Sequence, residues 1–149
     1  MNVKKLIKYI IATVAVGSLP ALFINFKDTY NSFIKPPLSP PGIAFPIVWT
    51  ILYILMAISL YRVSENDSST DIKSIYYLQL FFNVLWTPLF FDLKLYIFSF
   101  IWLLILLVIV IIMTIKYYHV DKVSAFLLIP YILWLLFAGY LNLTIAILN

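Results

Sequence analysis

The sequence predicts an all-α fold: an integral membrane bundle of five transmembrane helices, built as a single domain over residues 1–149. Three observations predict it. Five long apolar stretches fill the chain, running from Leu6 to Phe26, Ala44 to Tyr61, Ile75 to Phe91, Leu95 to Ile115 and Val123 to Leu148. Each is near the roughly 20 residues that a helix needs to cross a hydrocarbon core about 30 Å thick. The composition is 64% hydrophobic and 11% charged, against about 25% charged in a soluble domain, so no water-compatible surface is available.

The first stretch follows Lys4, Lys5 and Lys8. It reads as a retained span, kinked at Gly17 and Pro20, because it is long and shows no small-residue cleavage site. The connector after it carries Pro36, Pro37, Pro40 and Pro41. These fix φ near −65° and remove donors, so the segment reads as stiff and extended. Ser39 is placed to cap the second helix, with Pro40 at its first position. Tyr30 and Phe33 suggest that the connector is a lid over one mouth of the bundle. The polar second loop, Arg62 to Lys73, reads as a tether. Asp92-Leu93-Lys94 is tight enough to make helices three and four antiparallel neighbours. Helix four is apolar all round and reads as facing lipid widely.

Lys4, Lys5, Lys8, Arg62, Lys73, Lys116 and Lys122 fall on one side, and Lys27, Lys35 and Lys94 on the other. The richer side is expected in the cytoplasm, which puts the N-terminus there and the C-terminus opposite, in a multi-pass cell-membrane protein. Basic residues at helix ends meet lipid head groups, so nucleic acid is not an expected partner. With Cys 0 and His119 alone in a loop, neither a metal site nor a cofactor is expected. The spans hold no nucleophile triad, paired carboxylates or phosphate loop, which leaves conventional acid–base and nucleophilic catalysis without residues.

The polar and aromatic residues collect on helices two, three and five. Gln79, Asn83, Trp86 and Phe90 share one face of helix three by spacings of four, three and four. Two carboxamides in mid-membrane need partners. They serve either as interhelical glue, worth about 0.6 kcal/mol on average, or as the polar floor of a ligand cavity. Trp49, Tyr53 and Met56 repeat the pattern on helix two, and Trp134, Ala138, Leu141 and Asn142 on helix five. Trp49 is close enough to its span's start for an interfacial belt, whereas Trp134 is too deep for that placement.

Lys35-Pro36-Pro37-Leu38-Ser39-Pro40-Pro41, followed by Trp49-Thr50-Ile51-Leu52-Tyr53, resembles the first loop and second helix of the translocator protein family (TspO, the tryptophan-rich sensory proteins or peripheral benzodiazepine receptors). Gln79-x-x-x-Asn83-x-x-Trp86-x-Pro88-x-Phe90-Phe91 resembles its third helix, and Leu127-Leu128-Ile129-Pro130-Tyr131-x-x-Trp134-x-x-Phe137 its fifth. The resemblance implies a five-helix bundle, usually a homodimer, with a pocket for porphyrins and isoquinoline carboxamides. It places Tyr30, Pro41, Trp49, Tyr53, Asn83, Trp86, Phe90, Trp134 and Ala138 in that pocket, and the residue reading adds Gln79. Bacterial members degrade protoporphyrin IX in light through cavity tryptophans, a catalytic role that falls here on Trp49 and Trp134. The chain departs from the pattern at Thr29 and Leu38, where tryptophans are frequent, and at Trp102, where many relatives are acidic. Nothing basic follows Tyr140, so sterol binding is not carried over. The same pocket serves a porphyrin oxidation catalyst, a passive transporter of flat lipophiles or a stress-regulatory sensor, and the residues leave these open.

Overall fold

The computed structural model describes residues 1–67 and 69–149. Among them the fold is all-helical: α1 Val3–Gly17, α2 Phe26–Ser32, α3 Ala44–Asn66, α4 Thr70–Thr87, α5 Tyr96–Tyr118, α6 Lys122–Leu127 and α7 Ile129–Leu148. Among the described residues three helices are long and apolar enough to cross a membrane: α3, α5, and α6 with α7 taken together as Lys122–Leu148. α5 buries Leu103, Leu106, Val110 and Met113 on one stripe and exposes Ile97, Ile101, Leu104, Ile105, Val108 and Ile112 on the other, which suits a helix between protein and lipid. Trp102 Nε1 donates to the Phe82 carbonyl at 2.8 Å, and the Tyr117 hydroxyl donates to the Ile72 carbonyl at 3.1 Å. Those two ties fix α4 and α5 as antiparallel neighbours, joined by a turn in which Lys94 takes a left-handed φ of 54°.

The elements depart from the sequence reading where prolines or caps intervene. The first apolar stretch is not one helix from Leu6 to Phe26. α1 stops at Gly17, and a 3₁₀ turn follows over Leu19–Leu22 with Pro20 inside it. Proline offers no N–H to the α-ladder and its ring crowds the preceding turn. The connector is not extended throughout either. Asn25 caps a new helix by accepting from the Asp28 N–H at 3.2 Å, so Tyr30 sits on α2. Ser39 does not cap the next helix: its hydroxyl donates back to the Pro36 carbonyl at 2.7 Å, and α3 begins at Ala44 with no side-chain cap. At Pro88 the α4 ladder widens into a π turn, Pro88–Asp92. Pro130 likewise separates α6 from α7 at Leu128.

Two clasps hold the long helices at opposite ends. At one end, Arg62 Nε donates to Asp121 Oδ2 at 2.7 Å, Ser124 Oγ donates to the same oxygen at 2.6 Å, and Ser59 Oγ donates to the Ser124 carbonyl at 2.8 Å. This locks α3 to the start of α6. At the other end the connector is bolted down. Tyr30 donates to the Pro40 carbonyl at 2.6 Å, Tyr140 donates to the Pro37 carbonyl at 2.7 Å, and the Asn149 amide exchanges hydrogen bonds with the backbone of Ile34 at 3.1 and 3.0 Å. Phe33 inserts among Phe90, Phe91 and Tyr96, with ring centroids 5.6 to 6.4 Å apart. α1 and α3 are in close contact at Gly17. A Cβ there would land on the Tyr53 ring, and the Gly17 carbonyl lies 3.1 Å from the Tyr53 hydroxyl.

Gly17→Ala therefore overpacks a ring that cannot retreat without losing its hydrogen bonds. A loss of about 1–3 kcal/mol is expected, read as a lowered Tm of the detergent-solubilised protein; an unchanged Tm contradicts this packing. The Arg62 and Ser124 hydrogen bonds also hold the Asp121 carboxyl below the usual carboxylate range. A depressed acid stabilises the fold above its unfolded pKa, about 3.9, and loses that contribution as pH falls through the still lower folded value. Asp121→Asn should lower Tm at pH 7, by the up to about 1 kcal/mol of a partly exposed pair, and should narrow the gap to wild type as the pH is taken below about 4.

Candidate functional site

The interior holds a chain of hydrogen-bonded side chains drawn from three helices. The Tyr53 hydroxyl of α3 donates to Asn83 Oδ1 at 2.8 Å. Asn83 Nδ2 of α4 donates to the Tyr131 hydroxyl of α7 at 2.7 Å, and Tyr131 donates to Gln79 Oε1 at 2.8 Å. Gln79 Nε2 ends the chain against the Met56 sulfur at 3.7 Å. Gln79 is fully buried, and Asn83, Tyr53 and Tyr131 nearly so. Both carboxamides thus find protein partners, the glue arrangement, with Tyr131 as the member that sequence reading passed over. Its signal was available: a tyrosine on helix five, one turn before Trp134, brings a hydroxyl to the depth of the amides.

A second polar knot lies toward the connector. Trp86 Nε1 donates to Asn142 Oδ1 at 3.0 Å, Ser99 Oγ donates to the same oxygen at 3.2 Å, and Asn142 Nδ2 donates to the Tyr96 carbonyl at 2.9 Å. Asn142 is fully buried and joins α4, α5 and α7. Phe90 stacks on Trp86 at 5.3 Å.

Beside these networks is a cavity of about 350 Å³. That is within the range of small-molecule pockets, roughly 300–1,000 Å³. One wall is the end of α1 and the turn after it, from Gly17 to Ala21. A second is α2 with Phe26 and Tyr30. A third is the N-terminal half of α3 with Phe45, Trp49 and Tyr53, and Trp86, Thr87 and Phe91 close the back. Ala21, Asn31, Pro46 and Thr50 are exposed at its rim, which places the mouth between the 3₁₀ turn, α2 and α3. Burial raises the Tyr30 phenol above its ordinary pKa, with Ser39 acting the other way, so its hydroxyl remains a proton-bearing donor to Pro40.

Of the sequence-predicted residues, Tyr30, Trp49, Tyr53 and Trp86 stand on the cavity wall. Gln79 and Asn83 lie behind Tyr53 in the amide network, and Phe90 lies behind Trp86. Pro41 is exposed on the connector, and Ala138 is buried on α7. Trp134 stands behind the aromatic wall, its ring 6.3 Å from Trp49 at 90° and 5.8 Å from Phe45. Trp49 in turn stacks on Tyr53 at 5.7 Å. Among the described residues, Trp134 Nε1 is the one buried side-chain polar atom with no hydrogen-bond partner. An orphaned donor of this kind costs about 1–3 kcal/mol. The α1 side of the cavity was not foreseen, although Gly17-Ser18 before Pro20 marks a helix end with room beside it.

Comparison with known proteins gives the arrangement its relatives. The TspO/MBR family model matches residues 9–148. The chain is 38% identical to the tryptophan-rich protein TspO of Archaeoglobus fulgidus, over 100% of this chain and 99% of that one. It is 33% identical to protein CrtK of Rhodobacter capsulatus, over 95% and 90%, and 30% identical to the translocator protein of Bos taurus, over 76% and 70%. Matched over residues 9–148, this chain belongs to the TspO/MBR family of membrane proteins.

Proposed function

We propose that the chain binds a flat tetrapyrrole, of the protoporphyrin IX kind, in the cavity walled by α1, α2 and α3, and that isoquinoline carboxamides enter the same site. The observation that carries this reading is the wall itself: Trp49, Tyr53, Trp86, Phe45 and Phe91 give an apolar disc an aromatic lining. The unpartnered Trp134 N–H supports it, because a carboxylate or carboxamide oxygen that reached past Trp49 would satisfy a donor that has no partner among the described residues. Lys27 at the rim suits a propionate edge held toward the mouth. In this reading Trp49 and Trp134 are also the indoles that meet the photoexcited porphyrin, and the oxygen species it generates, in a light-dependent porphyrin degradation that takes O2 as its oxidant.

The membrane setting is read in the same way. α1 with its 3₁₀ turn and α4 with its π turn complete a five-span bundle around α3, α5 and α7, with the N-terminus cytoplasmic and the C-terminus opposite. The basic bias of one side and the exposed apolar faces of α1 and α4, at Ile7, Ile11, Leu78 and Phe81, support this. A transporter needs a second exit. The inner end of the cavity is closed where Tyr53 meets Gly17 and Asn83, which favours holding a ligand over passing it.

Titration of the purified protein with protoporphyrin IX, followed by tryptophan quenching, should give saturable binding. Trp49→Phe with Trp134→Phe should weaken it about tenfold or more, from lost stacking and a lost hydrogen bond, and should abolish bleaching under light. Unchanged affinity and bleaching rate in that double variant contradict the role given to the indoles. Ala21→Trp, which fills the exposed rim, should block binding while leaving Tm near that of wild type. Binding that survives it places the ligand elsewhere.

A further inference from the structure

A second concavity lies along α1 on its side toward α4. It is a groove of about 370 Å³ between α1 and α4, with Leu60 of α3 beneath. Its floor is a hydrogen bond between the buried Thr13 and Tyr76 hydroxyls, 2.6 Å apart. That bond holds the two helices at one level and leaves them apart on either side. On α4 the groove is lined by Tyr77, Phe81 and Leu85, spaced four apart on one stripe, and Tyr77 and Phe81 are 60% and 54% exposed. On α1 it is lined by Ala12 and Val16 at the same spacing.

Both stripes run into lysine at the same end. One turn before Tyr77 is Lys73, and one turn before Ala12 is Lys8. The two ends are close in space because Lys5 pairs with Glu65 at 2.9 Å and the Asn2 N–H donates to Tyr61 at 2.7 Å, which bring the start of α1 beside the α3–α4 connection. Lys8 and Lys73 are both exposed just beyond the lining, and neither is in an ion pair among the described residues, where the pairs are Lys5–Glu65 and Arg62–Asp121; Asp67 and Asp71 lie on the same connection. The groove is thus an apolar channel of acyl-chain character with a cationic end.

We infer that the α1–α4 groove is a binding site for an anionic diacyl phospholipid, its phosphate head between Lys8 and Lys73 and one acyl chain along Ala12, Val16, Phe81 and Leu85. Charge complementarity selects this occupant. Basic pockets between helices on the cytoplasmic side bind anionic head groups, and the cytoplasmic leaflet is where such lipids lie. A zwitterionic lipid offers the same phosphate but brings its own cation beside the two lysines. The inference rests on the membrane setting and not on the tetrapyrrole reading, since the two cavities share no lining residue.

Native mass spectrometry of the full chain, released from detergent with equal phosphatidylglycerol and phosphatidylcholine, tests it. One retained phosphatidylglycerol per chain is expected, with a preference over phosphatidylcholine that falls about fivefold for each lysine lost in Lys8→Gln and Lys73→Gln. Lys94→Gln, at the opposite membrane face, should change nothing. Ala12→Phe should expel both lipids by filling the groove; should it not fold, Val84→Phe fills the same space from α4. No preference in the unsubstituted protein, a preference indifferent to the two lysines, or retention indifferent to the filling variants overturns the site. So does a dimer that sedimentation shows falling to monomers with the filling variants, because the groove then belongs to a second copy. Porphyrin titration of Lys8→Gln with Lys73→Gln should match wild type, which separates this inference from the function proposed above.

Discussion

The constraint on which the interior depends is that a polar group sealed from water must find a partner inside the bundle. Tyr53, Asn83, Tyr131 and Gln79 satisfy it as one chain of donors and acceptors across α3, α4 and α7. Each amide or hydroxyl has a partner on a different helix, so the network sets the depth at which the three helices register. Sliding any one of them by a turn would strand several groups at once. Hydrophobic contact cannot impose such a register in lipid, because acyl chains are as apolar as leucine. The Asn142 knot repeats the device nearer the connector, with α5 as an added member.

Hydrogen bonding also separates the tryptophans whose N–H is engaged from the one whose N–H is not. Trp86 spends its N–H on Asn142 and Trp102 spends its own on the Phe82 carbonyl. Trp134 has no such partner among the described residues, although it is only one turn from Tyr131. The contrast matters because the fold evidently has acceptors to offer at that depth. A buried donor left without one is a local cost, and costs of that kind concentrate where a protein meets a ligand.

The helical class, the apolar stretches and the antiparallel α4–α5 pair were legible from periodicity and loop length alone. So was the face that carries Gln79, Asn83 and Trp86, because spacings of four and three survive any tilt or packing detail. Helix ends were not legible where proline and a side-chain cap compete. Ser39 reads as a cap from its neighbours, but its hydroxyl reaches Pro36 at lower cost than the N–H groups of a helix that starts five residues later. The α2 helix hid inside a stretch read as a loop, since seven residues carry too little periodicity to be distinguished from a connector. The partition of site residues between wall and second layer depends on side-chain direction around the bundle, which spacing along one helix does not contain. That is why Gln79, Asn83, Phe90 and Trp134 fall behind residues with which they were grouped.

The cavity exists where α1 is missing. Fifteen residues rise only about 22 Å, well short of a 30 Å core. Beyond Gly17 the bundle therefore lacks the rest of a helical wall on that side. The gap is bordered by pieces too short and too bent to fill it: the Leu19–Leu22 turn, α2 and the start of α3. The connector does not collapse into the space, because Tyr140, Asn149 and the aromatic cluster around Phe33 hold it against α7 and the α4–α5 turn. Gly17 closes the inner end by admitting the Tyr53 ring, which in turn anchors the amide network. A proline at position 20 and a glycine at position 17 thus make a hollow in an otherwise packed bundle, and they place its inner end directly against the hydrogen bonds that hold the bundle in register.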